Sequence, residues 1–324
     1  MILIQWLFLI PLITSTFIVL SASSPVYIWM ALEINTIVFI PIMIVASKPE
    51  SIRRAIKYFF VQAFASLIFI IGPIFSSVSF FITFFTAIIM KLGASPFHNW
   101  FPSVISNTSW SGAFILSTWQ KIAPLSLLIE NISNNNFIIL IASINAIVGG
   151  LGGLAQREIR PLLAFSSIGH IGWLVYSINF SHFLTFIYFI SYTLHLLVLI
   201  FILSKIDTHN LKDPSSTNFS NKLWKFMIPF ILISLGGLPP LLGFIPKFII
   251  INLATLSSIV PLILILGSYI NIYYYINLIW ASYMSNFESS SISINQASIT
   301  NLFILIIVTI FIMVSYGLNI YLQP

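Results

Sequence analysis

The chain has 324 residues, of which 59% are hydrophobic and 6% charged, with a formal net charge of +6 and no cysteine. A soluble domain carries roughly 25% charged residues, so an aqueous surface is excluded and lipid is the expected solvent. The missing cysteines exclude thiolate-held Fe–S clusters, Cys-type zinc sites, disulfides and redox-active thiols.

Apolar runs recur near the ~20 residues that cross about 30 Å of hydrocarbon. Eleven transmembrane helices are predicted, at 2–20, 26–46, 56–75, 78–92, 112–129, 137–155, 161–178, 182–204, 224–253, 259–282 and 299–321. The fold class is therefore an all-α polytopic membrane protein. The segment 2–20 lacks a basic leader region and is expected to be the first span, not a cleaved signal. The fourth span runs into Gly93-Ala94-Ser95-Pro96, and the ninth is interrupted by Gly236-Gly237-Leu238-Pro239-Pro240, so each is expected to break and resume. Spans one to five contain one broken helix and spans six to ten another. Repeats of odd helix number must be inverted relative to each other in the membrane. The predicted organisation is one repeat over 1–130, an inverted second over 131–285, and a C-terminal span within 286–324.

The charges fix an orientation. Of 13 Lys and Arg residues, Lys91, Lys121 and Lys247 lie inside spans. The rest (Lys48, Arg53, Arg54, Lys57, Arg157, Arg160, Lys205, Lys212, Lys222 and Lys225) all fall at connections after even-numbered spans. The positive-inside rule then places the N-terminus and the even connections inside and the C-terminus outside. The net charge is a topology signal, and nucleic acid is not the expected partner. The longest polar stretch, from Lys205 to Lys222, is too short for a globular domain, so function is expected within the membrane or at contacts with other subunits.

Four ionisable residues interrupt the apolar runs: Glu33 in WMALEINT, Lys91 in IIMKLG, Lys121 in TWQKIAP and Lys247 in GFIPKF. Each costs about 2.5–3.5 kcal/mol at a helix centre, on the order of 10–14 kcal/mol gross for the set. That rivals the net stability of a domain, so these residues are expected to be used. Burial disfavours a charged lysine and a nearby carboxylate favours it, so a lysine in lipid can hold or release a proton according to where the carboxylate sits. Glu33 is the acidic residue in mid-span and the natural partner. Prolines accompany the sites: Pro96 after Lys91, Pro124 after Lys121 and Pro246 before Lys247, with Pro41 two turns after Glu33. Pro124 frees the Gln120 carbonyl beside Lys121, and freed carbonyls are tolerated in a membrane where they line a wet cavity. His98 and His170 could relay a proton or serve as hydrogen-bonded structural residues. His182, His195 and His209 lack metal-ligand spacing, so no metal site is expected. The GGLGG run at 149–153 contains a G-x-x-x-G spacing, which in an apolar span implies close helix packing.

At this point a resemblance is legible. The segments WMALEINTIVFIP (29–41), KLGASPFHNWFP (91–102), WQKIAPL (119–125), FSSIGHIGW (165–173) and LGGLPPLLGFIPK (235–247) resemble, in order, those of the antiporter-like membrane subunits of respiratory NADH:ubiquinone oxidoreductase (complex I), and within them the mitochondrial subunit 2 branch. The eleven expected spans match the animal form. The resemblance implies proton translocation, with Glu33 and Lys91 as the coupling pair, Lys121 as central relay and Lys247 as distal site. It implies a hetero-oligomer with other membrane-arm subunits and surrounding lipid, in the mitochondrial inner membrane with the N-terminus on the matrix side. It also implies that NADH, FMN, Fe–S clusters and ubiquinone belong to partner subunits, leaving no cofactor in this chain. The tract Gln156-Arg157-Glu158-Ile159-Arg160-Pro161 departs from the family pattern by placing Pro161 at the second basic position. The alternatives are a stand-alone cation/proton antiporter, built from the same parts, and a structural subunit whose lysines only fasten helices.

Overall fold

Inside lipid every backbone N–H and C=O must be satisfied within the protein, which turns long apolar runs into helices. The computed structural model describes residues 2–44, 49–72, 77–131, 135–206, 222–254 and 259–287. These hold thirteen helices, and no strand among the described residues: α1 (Ile2–Ser21), α2 (Pro25–Ile44), α3 (Pro49–Ile71), α4 (Ser77–Leu92), α5 (Trp100–Ile105), α6 (Trp110–Ser117), α7 (Trp119–Asn131), α8 (Asn135–Leu154), α9 (Ile159–Ser177), α10 (His182–Ile206), α11 (Lys222–Gly236), α12 (Phe244–Leu253) and α13 (Val260–Phe287). Six stretches, from Pro25–Ile44 to Val260–Trp280, are each long and apolar enough to cross a membrane alone.

Ten predicted spans correspond to these helices. The eleventh span at 299–321, the region 288–324, His209 and the connection 207–221 lie outside the described residues. Spans four and nine break as expected, into α4 plus α5 and α11 plus α12. Two features differ from the sequence reading. Helix α3 starts at Pro49 and not near 56, proline being suited to a helix's first turn, so Arg53, Arg54 and Lys57 stand on a helix and not in a loop. Span five is also discontinuous, divided at Thr118 (φ −119°, ψ −73°) into α6 and α7.

The two expected breaks are made alike. At the first, Gly93 takes φ +67°, its N–H donates to Met90 O (3.1 Å), and that of Ala94 donates to Ile89 O (3.1 Å). At the second, Gly237 takes φ +87°, and the N–H groups of Gly237 and Leu238 donate to Ile233 O at 3.1 and 3.5 Å. In both, a left-handed glycine and a reach back to the last turn end the helix, a termination that L side chains disfavour.

Helix α9 forms the centre of the bundle. Every residue from Ile159 to Ser177 except Phe165 is buried. The glycine run of α8 allows this. A Cβ on Gly149 would lie 2.5 Å from the Gly169 backbone nitrogen, and one on Gly153 would meet the Tyr274 ring, so α8 lies tightly between α9 and α13. The expected small-residue packing is thus observed.

Among the described residues, the connections after spans two, four and six come together. Arg54, from the start of α3, donates to Ser103 O and Ser106 Oγ at the end of α5. Arg160, at the start of α9, reaches the same connection, donating to Ser106 O (3.5 Å) and lying 4.5 Å from the Trp110 ring centre. The basic residues after spans two and six therefore converge on the connection after span four.

Candidate functional site

The three mid-span lysines are buried to a similar degree, with 6%, 2% and 4% of Lys91, Lys121 and Lys247 exposed. Each sits beside a helix discontinuity. Lys91 lies in the last turn of α4, just before the first break. Lys121 follows the Thr118 junction, where its N–H turns back to Thr118 O (3.1 Å). Lys247 lies in the first turn of α12, just after the second break.

Their polar partners differ. The Lys247 ammonium donates to Gly236 O (2.6 Å) and Leu235 O (3.3 Å), the carbonyls that the break leaves open at the end of α11. A cation at a helix C-terminus is favoured by the aligned peptide dipoles. The indole of Trp173 lies 5.8 Å away. The Lys91 ammonium donates to Gln62 O (3.5 Å), while the Gln62 amide returns a bond to Lys91 O (3.4 Å), so α3 clasps the end of α4.

Glu33 is half-buried on α2. Its carboxylate accepts from Ser66 Oγ on α3 and from Thr36 Oγ1 (3.4 Å). Glu33 and Lys91 hydrogen-bond to different residues, Glu33 to Ser66 and Thr36 and Lys91 to Gln62. Both partners, Ser66 and Gln62, belong to α3, so this helix connects the expected pair by way of separate hydrogen bonds.

Amides gather beside Lys91, one of them from Gln120, the neighbour of Lys121 in the chain. The Gln120 amide donates to Asn35 Oδ1 (2.9 Å), and its oxygen accepts from Tyr58 OH (3.5 Å). Asn35, Thr36, Gln62, Lys91, Gln120 and Pro124 line one cavity of about 10 Å³. That is close to the space one water needs, among polar groups of the kind that hold one. The sequence reading missed Asn35, Gln62 and Gln120 as members of the site. A glutamine or asparagine inside an apolar span was the available signal.

Beyond Lys121 the line runs through rings. Among the described residues its ammonium has no hydrogen-bond partner. It lies 5.0 Å from the ring centre of Phe101 and 5.4 Å from that of Tyr192. The carbonyl expected to be freed by Pro124 thus does not receive it. Tyr192 contacts His170 ring to ring (4.9 Å), and His170 Nδ1 bonds Tyr188 OH (2.9 Å). His195 Nδ1 donates to Ser191 O (2.6 Å), leaving Nε2 free to accept in the neutral ring. His170, Tyr188, Tyr192 and His195 share a small cavity with Leu235, Gly243 and Pro246 of the second break. His195, set aside in the sequence for want of metal spacing, thus lines the same cavity as His170. Tyr188, Tyr192 and His195 follow the i, i+4, i+7 spacing of one helix face, which was legible. His98 stands apart at the first break. It is paired with Ser95 Oγ (3.3 Å) and packed near Phe165, while Asn145 Oδ1 of α8 accepts from Ser95 N–H (2.8 Å).

The comparisons with known proteins agree with one another. Residues 74–272 match the family described as NADH:quinone oxidoreductase/Mrp antiporter, TM. The NADH-ubiquinone oxidoreductase chain 2 of Lumbricus terrestris is 34% identical over 297 residues, covering 87% of this chain and 89% of that one. That of Anopheles gambiae is 35% identical over 299 residues, covering 88% and 87%. Among solved structures, a chain of respiratory complex I from Thermus thermophilus superposes with TM-score 0.76 at 22% identity, over 86% of this chain and 70% of that chain. A chain of the Mrp complex from Dietzia sp. DQ12-45-1b does so with TM-score 0.70 at 15% identity, over 85% and 59%. These last two likenesses are of fold.

Proposed function

The chain belongs to the NADH:quinone oxidoreductase/Mrp antiporter membrane family, and from that membership we propose that it is a proton-translocating membrane-arm subunit of a respiratory NADH:ubiquinone oxidoreductase. It is a multi-pass protein of the mitochondrial inner membrane, in a hetero-oligomer with other membrane-arm subunits. Electron transfer from NADH to ubiquinone takes place in partner subunits, which hold NADH, FMN, Fe–S clusters and the quinone, and this chain answers with proton movement. The observation that carries this reading is three lysines, each at most 6% exposed and each at a helix discontinuity, with Asn35, Gln62 and Gln120 lining a cavity beside Lys91.

The steps follow from the side chains. A change of field accompanying quinone reduction alters the balance between Glu33 and Lys91. With its carboxylate favouring it, Lys91 holds a proton; with that influence weakened, burial drives the proton off. The amides of Gln62, Asn35 and Gln120, with a water in the cavity they line, offer acceptors toward Lys121. From Lys121 the proton continues past Tyr192 to the His170, Tyr188 and His195 group. A histidine accepts at one ring nitrogen and donates from the other, which suits this step. Lys247 receives it, and opening of the carbonyl clasp at Gly236 releases it on the opposite side. The two repeats at 1–130 and 131–285 are related by inversion, each supplying one break made at a left-handed glycine, Gly93 in the first and Gly237 in the second. The N-terminus faces the matrix, with the Arg54 and Arg160 connections beside it. His98 is a structural residue of the first break in this scheme.

The stand-alone antiporter alternative rests on fold likeness to the Mrp complex at 15% identity. Purification separates the two readings. The chain is expected to co-purify with an NADH-oxidising assembly, and in that assembly Glu33→Gln should lower protons moved per NADH oxidised. A chain that purifies alone and exchanges sodium for protons without NADH would overturn the proposal.

A further inference from the structure

The three lysines differ in what receives the ammonium. Lys91 and Lys247 donate to backbone carbonyls, whereas Lys121, the most buried, has no hydrogen-bond partner among the described residues. An ammonium cannot stay charged in such a place without compensation. Two ring faces are what the structure supplies. Phe101 on α5 and Tyr192 on α10 are themselves 1% and 3% exposed, and their centres lie 5.0 and 5.4 Å from the nitrogen, inside the ~6 Å range at which a ring quadrupole attracts a cation.

We infer that Phe101 and Tyr192 form an aromatic seat for the Lys121 ammonium, and that the Tyr192 ring is the partition a proton passes on its way to His170. The inference rests on the translocation reading above and adds two positioning residues to it. Both rings are held from behind. Phe101 packs on Gly93, where an added Cβ would lie 3.0 Å from Phe101 Cβ, and against Trp100 at 5.6 Å. The seat is therefore fixed to the first helix break, and a shift there moves the Phe101 ring relative to Lys121. Tyr192 is anchored through its hydroxyl at Ser117 O (3.5 Å), and its ring touches the His170 ring at 4.9 Å. One ring thus contacts both the central lysine and the next titratable group. The same two rings stabilise the protonated lysine, the form that must be populated for Lys121 to carry a proton.

The test uses the intact complex in proteoliposomes, with protons moved per NADH and the amount of assembled complex both measured. Phe101→Leu and Tyr192→Leu remove the ring faces and are expected to lower the pumping rate about tenfold. Phe101→Tyr and Tyr192→Phe keep a ring and are expected to recover most of it. Lys121→Met distinguishes the two levels of the argument. Loss of pumping there, with wild-type pumping in assembled Phe101→Leu and Tyr192→Leu, overturns the seat and leaves the translocation reading standing. Wild-type pumping in Lys121→Met overturns the reading itself. Tyr192→Phe failing as badly as Tyr192→Leu would assign the role to the hydroxyl and overturn the ring claim. Should the leucine variants not assemble, a density map of the wild-type complex decides. The Lys121 nitrogen should lie over both rings in at least one turnover state, and a nitrogen turned from both rings onto water in every state overturns the inference.

Discussion

Lys247 donates to the carbonyl of Gly236 at 2.6 Å, across a break whose next residue, Gly237, stands at φ +87°. The glycine and the lysine depend on one another. A Cβ on Gly237 would lie 2.8 Å from the lysine nitrogen and 2.9 Å from its Cδ. Gly237→Ala therefore adds left-handed strain of about 1–2 kcal/mol and pushes the ammonium from its carbonyls. Assembled complex on native gels is expected to fall, and pumping per assembled complex to fall further. Normal pumping would show that the carbonyl clasp is dispensable.

Gln120 joins α7 to Asn35 of α2 (2.9 Å) and to Tyr58 of α3 (3.5 Å). Gln120→Leu leaves the buried Asn35 side chain without this partner, a cost of about 1–3 kcal/mol. It also removes an acceptor between Lys91 and Lys121. NADH-driven proton uptake should slow several-fold in complex that still assembles. A thermal shift without slower pumping would confine Gln120 to a structural part.

Close packing of α8 on α9 is set by Gly149, where an added Cβ would meet Gly169 backbone at 2.5 Å. Backbone cannot move aside as a side chain can, so Gly149→Ala is expected to cost about 1–3 kcal/mol. Thermal inactivation of the complex should shift downward, with the pumping ratio of surviving complex intact.

The absence of cysteine gives a direct test of orientation. Ala155 follows α8 on the side where Arg54 and Arg160 gather, and Ser181 precedes α10; both are exposed. Ala155→Cys should react with an impermeant thiol reagent from the matrix face, and Ser181→Cys from the intermembrane-space face. The reverse pattern would invert the topology.

Much of the fold was legible because lipid imposes one rule on every span. The breaks at Gly93 and Gly237 announced themselves through glycine and proline. The division at Thr118 did not, because Ser117-Thr118-Trp119 contains neither residue. The lysines were legible from their cost in lipid. Their partners were not, because each comes from a different helix: Gln62 for Lys91, Phe101 and Tyr192 for Lys121, and the α11 carbonyls for Lys247. Glu33 was expected on Lys91, but Ser66 lies closer along α3 and takes its carboxylate. His170 and His98 looked alike in sequence. The α10 face carrying Tyr188, Tyr192 and His195 draws the first into the line, while Ser95 holds the second at the first break.

The most direct measurement is the number of protons translocated per NADH oxidised by assembled complex carrying Lys121→Met. Methionine preserves the stem of the side chain and removes the ammonium between the two halves of the line. The expected result is a sharp fall in that ratio, with the complex still assembled. A ratio equal to wild type would contradict proton passage through Lys121.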